Sequence, residues 1–209
     1  MLLGRDANPL DWSRRERLIY ASPSGNVGLE QSTPERRGTR TQCLVDFATG
    51  GCAKRVKGEL METATLQKKE WTLTAIALAD GQPLSPVQLQ KSVFLFGKLL
   101  PQEVLPEDFY EFVPYNYGPF CREVYADAEE LAEEGLVQIS SVASHGYSQY
   151  SATPDGIARA DRLNDLLPPR IAKHARAIVQ WVRAQSFRGL VSAIYEKYPE
   201  YQANSVFTG

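Results

Sequence analysis

Residues 119–152 read PFCREVYADAEELAEEGLVQISSVASHGYSQYSA, and the reading of this stretch decides the fold class. Phe120, Val124, Ala128 and Leu131 recur at helical spacing, which predicts a helix from Pro119 to Glu134 with one buried stripe. Gly135 stands where such a helix needs a left-handed residue to end. The apolar period then drops to two. Val137, Ile139 and Val142 on one side of Ser144-His145-Gly146, and Tyr147 and Tyr150 on the other, predict a β-hairpin with a glycine-containing loop.

Working outward, Tyr115-Asn116-Tyr117-Gly118-Pro119 predicts a turn whose Gly118-Pro119 bend opens the third helix, and the alternation Phe109, Tyr110, Phe112 suits a short strand. Ser85-Pro86-Val87-Gln88 is a capping box with proline at the first helical position. It starts a second helix over about 85–100, with Leu89, Val93, Phe96 and Leu100 on one face. A first helix over about 63–79 places Leu66, Leu73, Ile76 and Ala77 on one face with Trp71 nearby, and Asp80-Gly81 ends it. Downstream, Thr153-Pro154 starts a fourth helix, and Pro168-Pro169 breaks it and begins a fifth with Ile171, Ala175, Ile178, Val179 and Val182 inward. A last helix over about 187–198 buries Leu190, Ile194 and Tyr198 before Pro199.

The expected fold is therefore mainly α with a small β-hairpin, in the order of a winged helix: 61–152 as core and wing, and 153–209 as a C-terminal helical extension. Residues 1–60 show no sustained period and are broken by Ser, Gly, Pro and Arg, so a disordered tail is expected there. An alternative is that translation begins at Met61, because Lys57-Gly58-Glu59 can be encoded by purine-rich codons resembling a ribosome-binding site. Peptides from residues 5–55 in native extracts would refute that alternative.

Leu89-Gln90-Lys91, Tyr117-Gly118-Pro119 and Glu123-Val124-Tyr125 resemble the pattern of the Panacea (SocA-like antitoxin) domain and of related bacterial and archaeal winged-helix proteins. Glu134-Gly-Leu-Val137 likewise resembles the helix-to-wing junction of winged-helix regulators. The resemblance covers about residues 85–140 and implies an antitoxin-like or regulatory role exercised through protein contacts.

Charge is unevenly placed. Residues 61–134 carry five Lys/Arg against thirteen Asp/Glu, whereas 135–209 carry eight against five. Glu123, Asp127, Glu130 and Glu134 form one stripe on the third helix, extended by Glu129 and Glu133, with Arg122 its single basic residue. Because phosphate neutralisation supplies most non-specific DNA affinity, this helix is wrong for major-groove docking. A solvated face is its plain reading, and a protein-binding face the sharper one. Arg170, Lys173, Arg176 and Arg183 line the outer side of the fifth helix, with Arg188 beyond it. With His145 in the wing, these are the candidates for contacts to DNA, or for pairing with the acidic helix in cis or across a homodimer. Trp181, between the basic and apolar faces, is the candidate apolar anchor of such a dimer. Tyr115, Asn116 and Tyr117 are candidates for exposed recognition, while Phe112, Phe120 and Tyr125 fall at core-type positions.

Catalysis is not expected. The chain has no phosphate-binding glycine loop, no nucleophile elbow and no H-E-x-x-H. Cys43, Cys52 and Cys121 are too far apart for a metal-binding pair, and only His145 and His174 could join them. No cofactor is expected, no apolar run approaches the roughly 20 residues of a membrane span, and a cytoplasmic location follows. The expected function is a non-catalytic winged-helix module acting on a protein partner or a second copy of itself. The alternative is a DNA-binding transcriptional regulator using the wing and the basic C-terminal helix.

Overall fold

The computed structural model describes residues 65–142 and 146–207. The tail over 1–60, the alternative start at Met61 and the wing residue His145 lie outside the described residues. Among these, six α-helices and two small antiparallel hairpins make a mainly helical fold: α1 (Lys68–Ala77), α2 (Pro86–Leu99), β1 (Val113–Tyr115), β2 (Gly118–Phe120), α3 (Arg122–Glu133), β3 (Val137–Val142), β4 (Tyr147–Ala152), α4 (Pro154–Leu166), α5 (Pro169–Ala184) and α6 (Phe187–Lys197).

Helix α1 is the centre of the fold. Trp71, Thr72, Leu73, Thr74, Ala75 and Ile76 are buried in succession, so the helix is enclosed on every side rather than on the single face its period predicts. It packs against α2, α3, α4, α5 and β4. Two successive left-handed residues, Asp80 (φ 54°) and Gly81 (φ 73°), turn the chain away from it. Asp is one of the few residue types that tolerate this conformation. The Asp80 carboxylate is also held from α5, by Arg176 at 2.6 Å and by the Gln180 amide at 3.0 Å.

The expected start of α2 is realised. The Ser85 hydroxyl accepts from the Gln88 backbone N–H at 3.3 Å, and the Gln88 side-chain Oε1 accepts from the Ser85 N–H at 3.0 Å. Leu84 forms an isolated antiparallel bridge to Tyr150, with bonds of 2.8 and 3.0 Å, which fastens the α1–α2 connection to the edge of the β3–β4 hairpin. In that hairpin Val137 pairs with Ala152 and Val142 with Tyr147.

Helix α3 ends as the sequence requires. Gly135 takes φ 75°, and the N–H of Leu136 reaches back to the carbonyl of Leu131 at 2.9 Å, a Schellman closure. The next junction is locked to this one: Leu136 O accepts from the Thr153 N–H at 3.0 Å, and Gly135 O accepts from the Thr153 hydroxyl at 2.8 Å.

The connection between α2 and α3 departs from expectation. The strand is not at 109–112 but at Val113–Tyr115, paired with Gly118–Phe120. Gly118-Pro119 is thus the start of a strand and not the first turn of α3, which begins only at Arg122. The cause lies on α2. Gln90 spans the backbone of Cys121, its amide donating to the carbonyl at 2.8 Å and its oxygen accepting from the N–H at 3.0 Å, and this holds Cys121 extended. Buried Lys91 donates to the carbonyl of Pro119 at 2.9 Å. All three backbone groups are satisfied by side chains that no local rule of turns reveals.

Candidate functional site

An apolar cleft of about 510 Å³ opens beside the β1–β2 hairpin. Its floor comes from Gln90 and Lys91 of α2, and its walls include Phe120, Tyr125, Tyr147 and Phe187 from four further elements. Around it stand Tyr115 (51% exposed), Tyr117 (42%), Tyr147 (37%) and Phe187 (47%), an unusual concentration of open aromatic rings for a small domain.

The hairpin wall is fixed from two sides. Gly118 takes φ 93° and lies so close to α6 and α2 that a Cβ there would meet Tyr195 Cε1 at 3.3 Å and Lys91 Nζ at 3.5 Å, so glycine alone fits. On the opposite side, the Val206 N–H and the Ser205 hydroxyl donate to the Asn116 carbonyl at 3.1 and 3.3 Å, and the Asn204 amide donates to Pro114 O at 3.2 Å. Tyr117 meets Phe187 edge to face at 5.2 Å between centroids. Tyr115 packs on Phe120 at 5.0 Å, and Phe120 on Tyr125 at 5.8 Å, giving a continuous aromatic lining.

Lys91 is the unusual member. It is 3% exposed, and among the described residues no carboxylate lines the cleft with it. Burial pulls its ammonium down from 10.5 to about 7, because desolvation disfavours the charged form and no anion offsets it. At neutral pH the amine is therefore divided between charged and neutral forms. Burial also pushes the Tyr125 phenol and the Cys121 thiol up, which keeps both protonated.

The acidic stripe of α3 is largely exposed, as its plain reading expects, and part of it is paired within the chain. Glu123 meets Lys68 at 2.5 Å, and Lys69 bridges Glu130 at 3.1 Å and Glu134 at 2.7 Å. Asp127 accepts from the buried Tyr110 hydroxyl, which also contacts Thr72 Oγ1 at 2.7 Å. The in-cis cation source is thus α1 and not the basic helix α5. These pairs are half-exposed and contribute about 0–1 kcal/mol each. Lys69→Ala is accordingly expected to lower stability by less than about 1 kcal/mol, and by less still in 1 M salt, as urea denaturation would read.

On α5, Arg170 and Lys173 are exposed and Arg183 is half-buried, with Arg188 exposed on α6. Arg176 is engaged by Asp80. Trp181 is 6% exposed and belongs to the core, so it cannot anchor a second copy. Its neighbours Ile178, Val179 and Val182 are buried too, and α5 is enclosed over a wider arc than its apolar period indicates. Phe112, Phe120 and Tyr125 are half-buried, the last two lining the cleft.

Tyr115, Asn116 and Tyr117 do come together at the cleft, whereas the α3 acids and the α5 bases lie apart from it. Sequence reasoning did not mark Lys91, Tyr147 and Phe187 as site residues. Lys91 alone carried a usable signal, a lysine set within the apolar run Leu89 to Phe96. Comparison with protein families, characterised proteins and solved structures finds no match to this chain. Among the described residues no helix is long and apolar enough to cross a membrane, and no cluster of three or more His, Cys, Asp or Glu could hold a metal ion.

Proposed function

We propose that this chain is a non-catalytic module of winged-helix descent that binds a protein partner through the aromatic cleft, in an antitoxin-like or regulatory role. One observation carries the reading: four open aromatic side chains, Tyr115, Tyr117, Tyr147 and Phe187, converge on a single cleft. Aromatic residues around a partly preformed pocket are the usual anchors of protein recognition. The order helix, bridged segment, helix, small β1–β2 hairpin, helix, hairpin supports the winged-helix assignment if β1–β2 is an insertion and Leu84 the short first strand. The residues that resemble the Panacea domain support the antitoxin-like role, because Leu89-Gln90-Lys91 and Tyr117-Gly118-Pro119 meet at this cleft.

Reading DNA with α3 is disfavoured on two grounds. Its exposed face is acidic, and β1–β2 with its flanking loops separates it from α2 where a DNA-reading pair has a turn of three or four residues.

The test is co-expression with the product of the adjacent reading frame, followed by calorimetry of the complex. Replacing Tyr117 and Phe187 together by Ser is expected to weaken binding by at least about 30-fold, since truncated aromatic hot spots cost about 2 kcal/mol or more. Their exposure means that the melting temperature should change little. Unaltered affinity would move the interface elsewhere. Tight duplex DNA binding that Arg170→Glu with Lys173→Glu removes would instead establish the regulator reading.

A further inference from the structure

We infer that the floor of the cleft is a small-molecule site for a compact aromatic or branched apolar compound bearing one carboxylate, with Lys91 as the group that receives the carboxylate. This goes beyond partner binding at the rim and is tested without any partner.

The geometry supplies each part of the argument. A cleft of about 510 Å³ falls within the roughly 300–1,000 Å³ that enclose a small ligand. Its lining is dominated by Pro86, Val87 and aromatic rings, which select an apolar body. Among the described residues its only side-chain cation is Lys91, and no acid lines it. The Lys91 amine spends one N–H on the Pro119 carbonyl at 2.9 Å, which aims the chain and leaves two further positions on the nitrogen. A buried cation without a counter-charge is costly, and a ligand carboxylate provides the charge that the fold omits. Lys91 lines the cleft at only 3% exposure, too buried for a flat protein surface to engage, whereas a small acid held among Tyr117, Tyr147 and Phe187 shares that lining.

Binding in this form carries a proton with it. Among the described residues, the titratable side chains sharing the cleft with Lys91 are Tyr115 and Tyr117 from the β1–β2 hairpin, Tyr125 from α3 and Tyr147 from β4, with Tyr195 of α6 beside it at Gly118. Each is a phenol and none is a basic group, so proton uptake on ligand binding at pH 8 reports the amine. Burial holds the amine mostly neutral at that pH, and a carboxylate beside it would return it to the charged form.

The experiment uses the full chain and three probes of one shape: 3-phenylpropionate, its amide and its alcohol. Calorimetry at pH 8, in two buffers of different ionisation enthalpy, is expected to show the acid binding at least about tenfold more tightly than the amide or alcohol. The acid alone should take up close to one proton per site. Lys91→Met should abolish both the preference and the uptake, while the apolar probes still bind. Equal affinities for acid and amide, acid binding without proton uptake, or no binding of any probe at millimolar concentration would each overturn the assignment. The uptake measurement on the unaltered chain stands even if the variant fails to fold. A negative result with these probes leaves the partner-binding reading to its own test, since that test is read from a different complex.

Discussion

Lys91→Met is expected to make the protein more stable at pH 7, by about 2 kcal/mol, and to remove a pH dependence that the unaltered chain shows between pH 7 and 10. The lysine falls from 10.5 when the chain is unfolded to about 7 when it is folded. Between these values the unfolded chain binds a proton that the folded chain does not, so stability rises with pH across that window. Below pH 7 both states hold the proton and the full penalty of burying the charge applies, on the order of 4–5 kcal/mol. Above pH 10.5 both are neutral and the penalty is gone. Methionine has a similar shape and no charge, so it escapes the penalty. It also leaves the buried carbonyl of Pro119 without its donor, at a cost of about 1–3 kcal/mol. The difference is the expected gain. Urea denaturation at pH 6, 8 and 9.5 would show it as a slope of about 1.4 kcal/mol per pH unit near pH 8–9 in the parent and as the loss of that contribution in the variant. A variant less stable than the parent at pH 7, or an unchanged slope, would contradict it.

Gly156→Ala is expected to have the largest effect of opposite sign, a loss of about 3–5 kcal/mol. Gly156 lies in the first turn of α4, where alanine would ordinarily gain about 1 kcal/mol from helix propensity. Here a Cβ would lie 1.9 Å from the carbonyl oxygen of Leu136 and 2.9 Å from its carbon, both backbone atoms that cannot rotate away. That oxygen is also the acceptor for the Thr153 N–H. To make room, the end of α3 and the start of α4 must part, and two bonds at Thr153 stretch together. Gly189→Ala is a suitable control, because the atoms it would meet are the ends of the Ser186 and Gln185 side chains at 3.2 and 3.6 Å. Thermal unfolding of the pair should separate them by about 6–20 °C, given about 2–4 °C per kcal/mol in a domain of about 150 residues. Similar melting temperatures would mean that the α3–α4 junction yields more easily than its geometry implies.

The sequence revealed most where a short window holds the whole cause. The Ser85 cap, the Gly135 stop and the hairpin alternation are each settled by neighbours within a few positions. It misplaced the strand at 109–112 because the aromatic run there is held by distant rings: Phe112 against Phe94 at 5.3 Å, and Tyr110 against Asp127 of α3. The acidic stripe was visible as a stripe, but its lysines lie more than fifty residues upstream on a helix whose burial on all sides erases the amphipathic signal. The cleft was half legible. Tyr115, Asn116 and Tyr117 declare themselves by sitting in a turn, whereas Lys91, Tyr147 and Phe187 come from three separate elements and become a site only when these are packed.

The central placement of α1 also bears on how the protein is made. Of the described helices it is the first to leave the ribosome, yet its enclosing walls include α4 and α5, which are translated long afterwards. At about 5–20 residues per second, Trp71, Leu73 and Ile76 wait several seconds for their permanent neighbours. During that interval the nascent chain presents an apolar helix with no interior to enter. Acquisition of the native core is therefore a late event of biosynthesis, completed only once the C-terminal helices have been made.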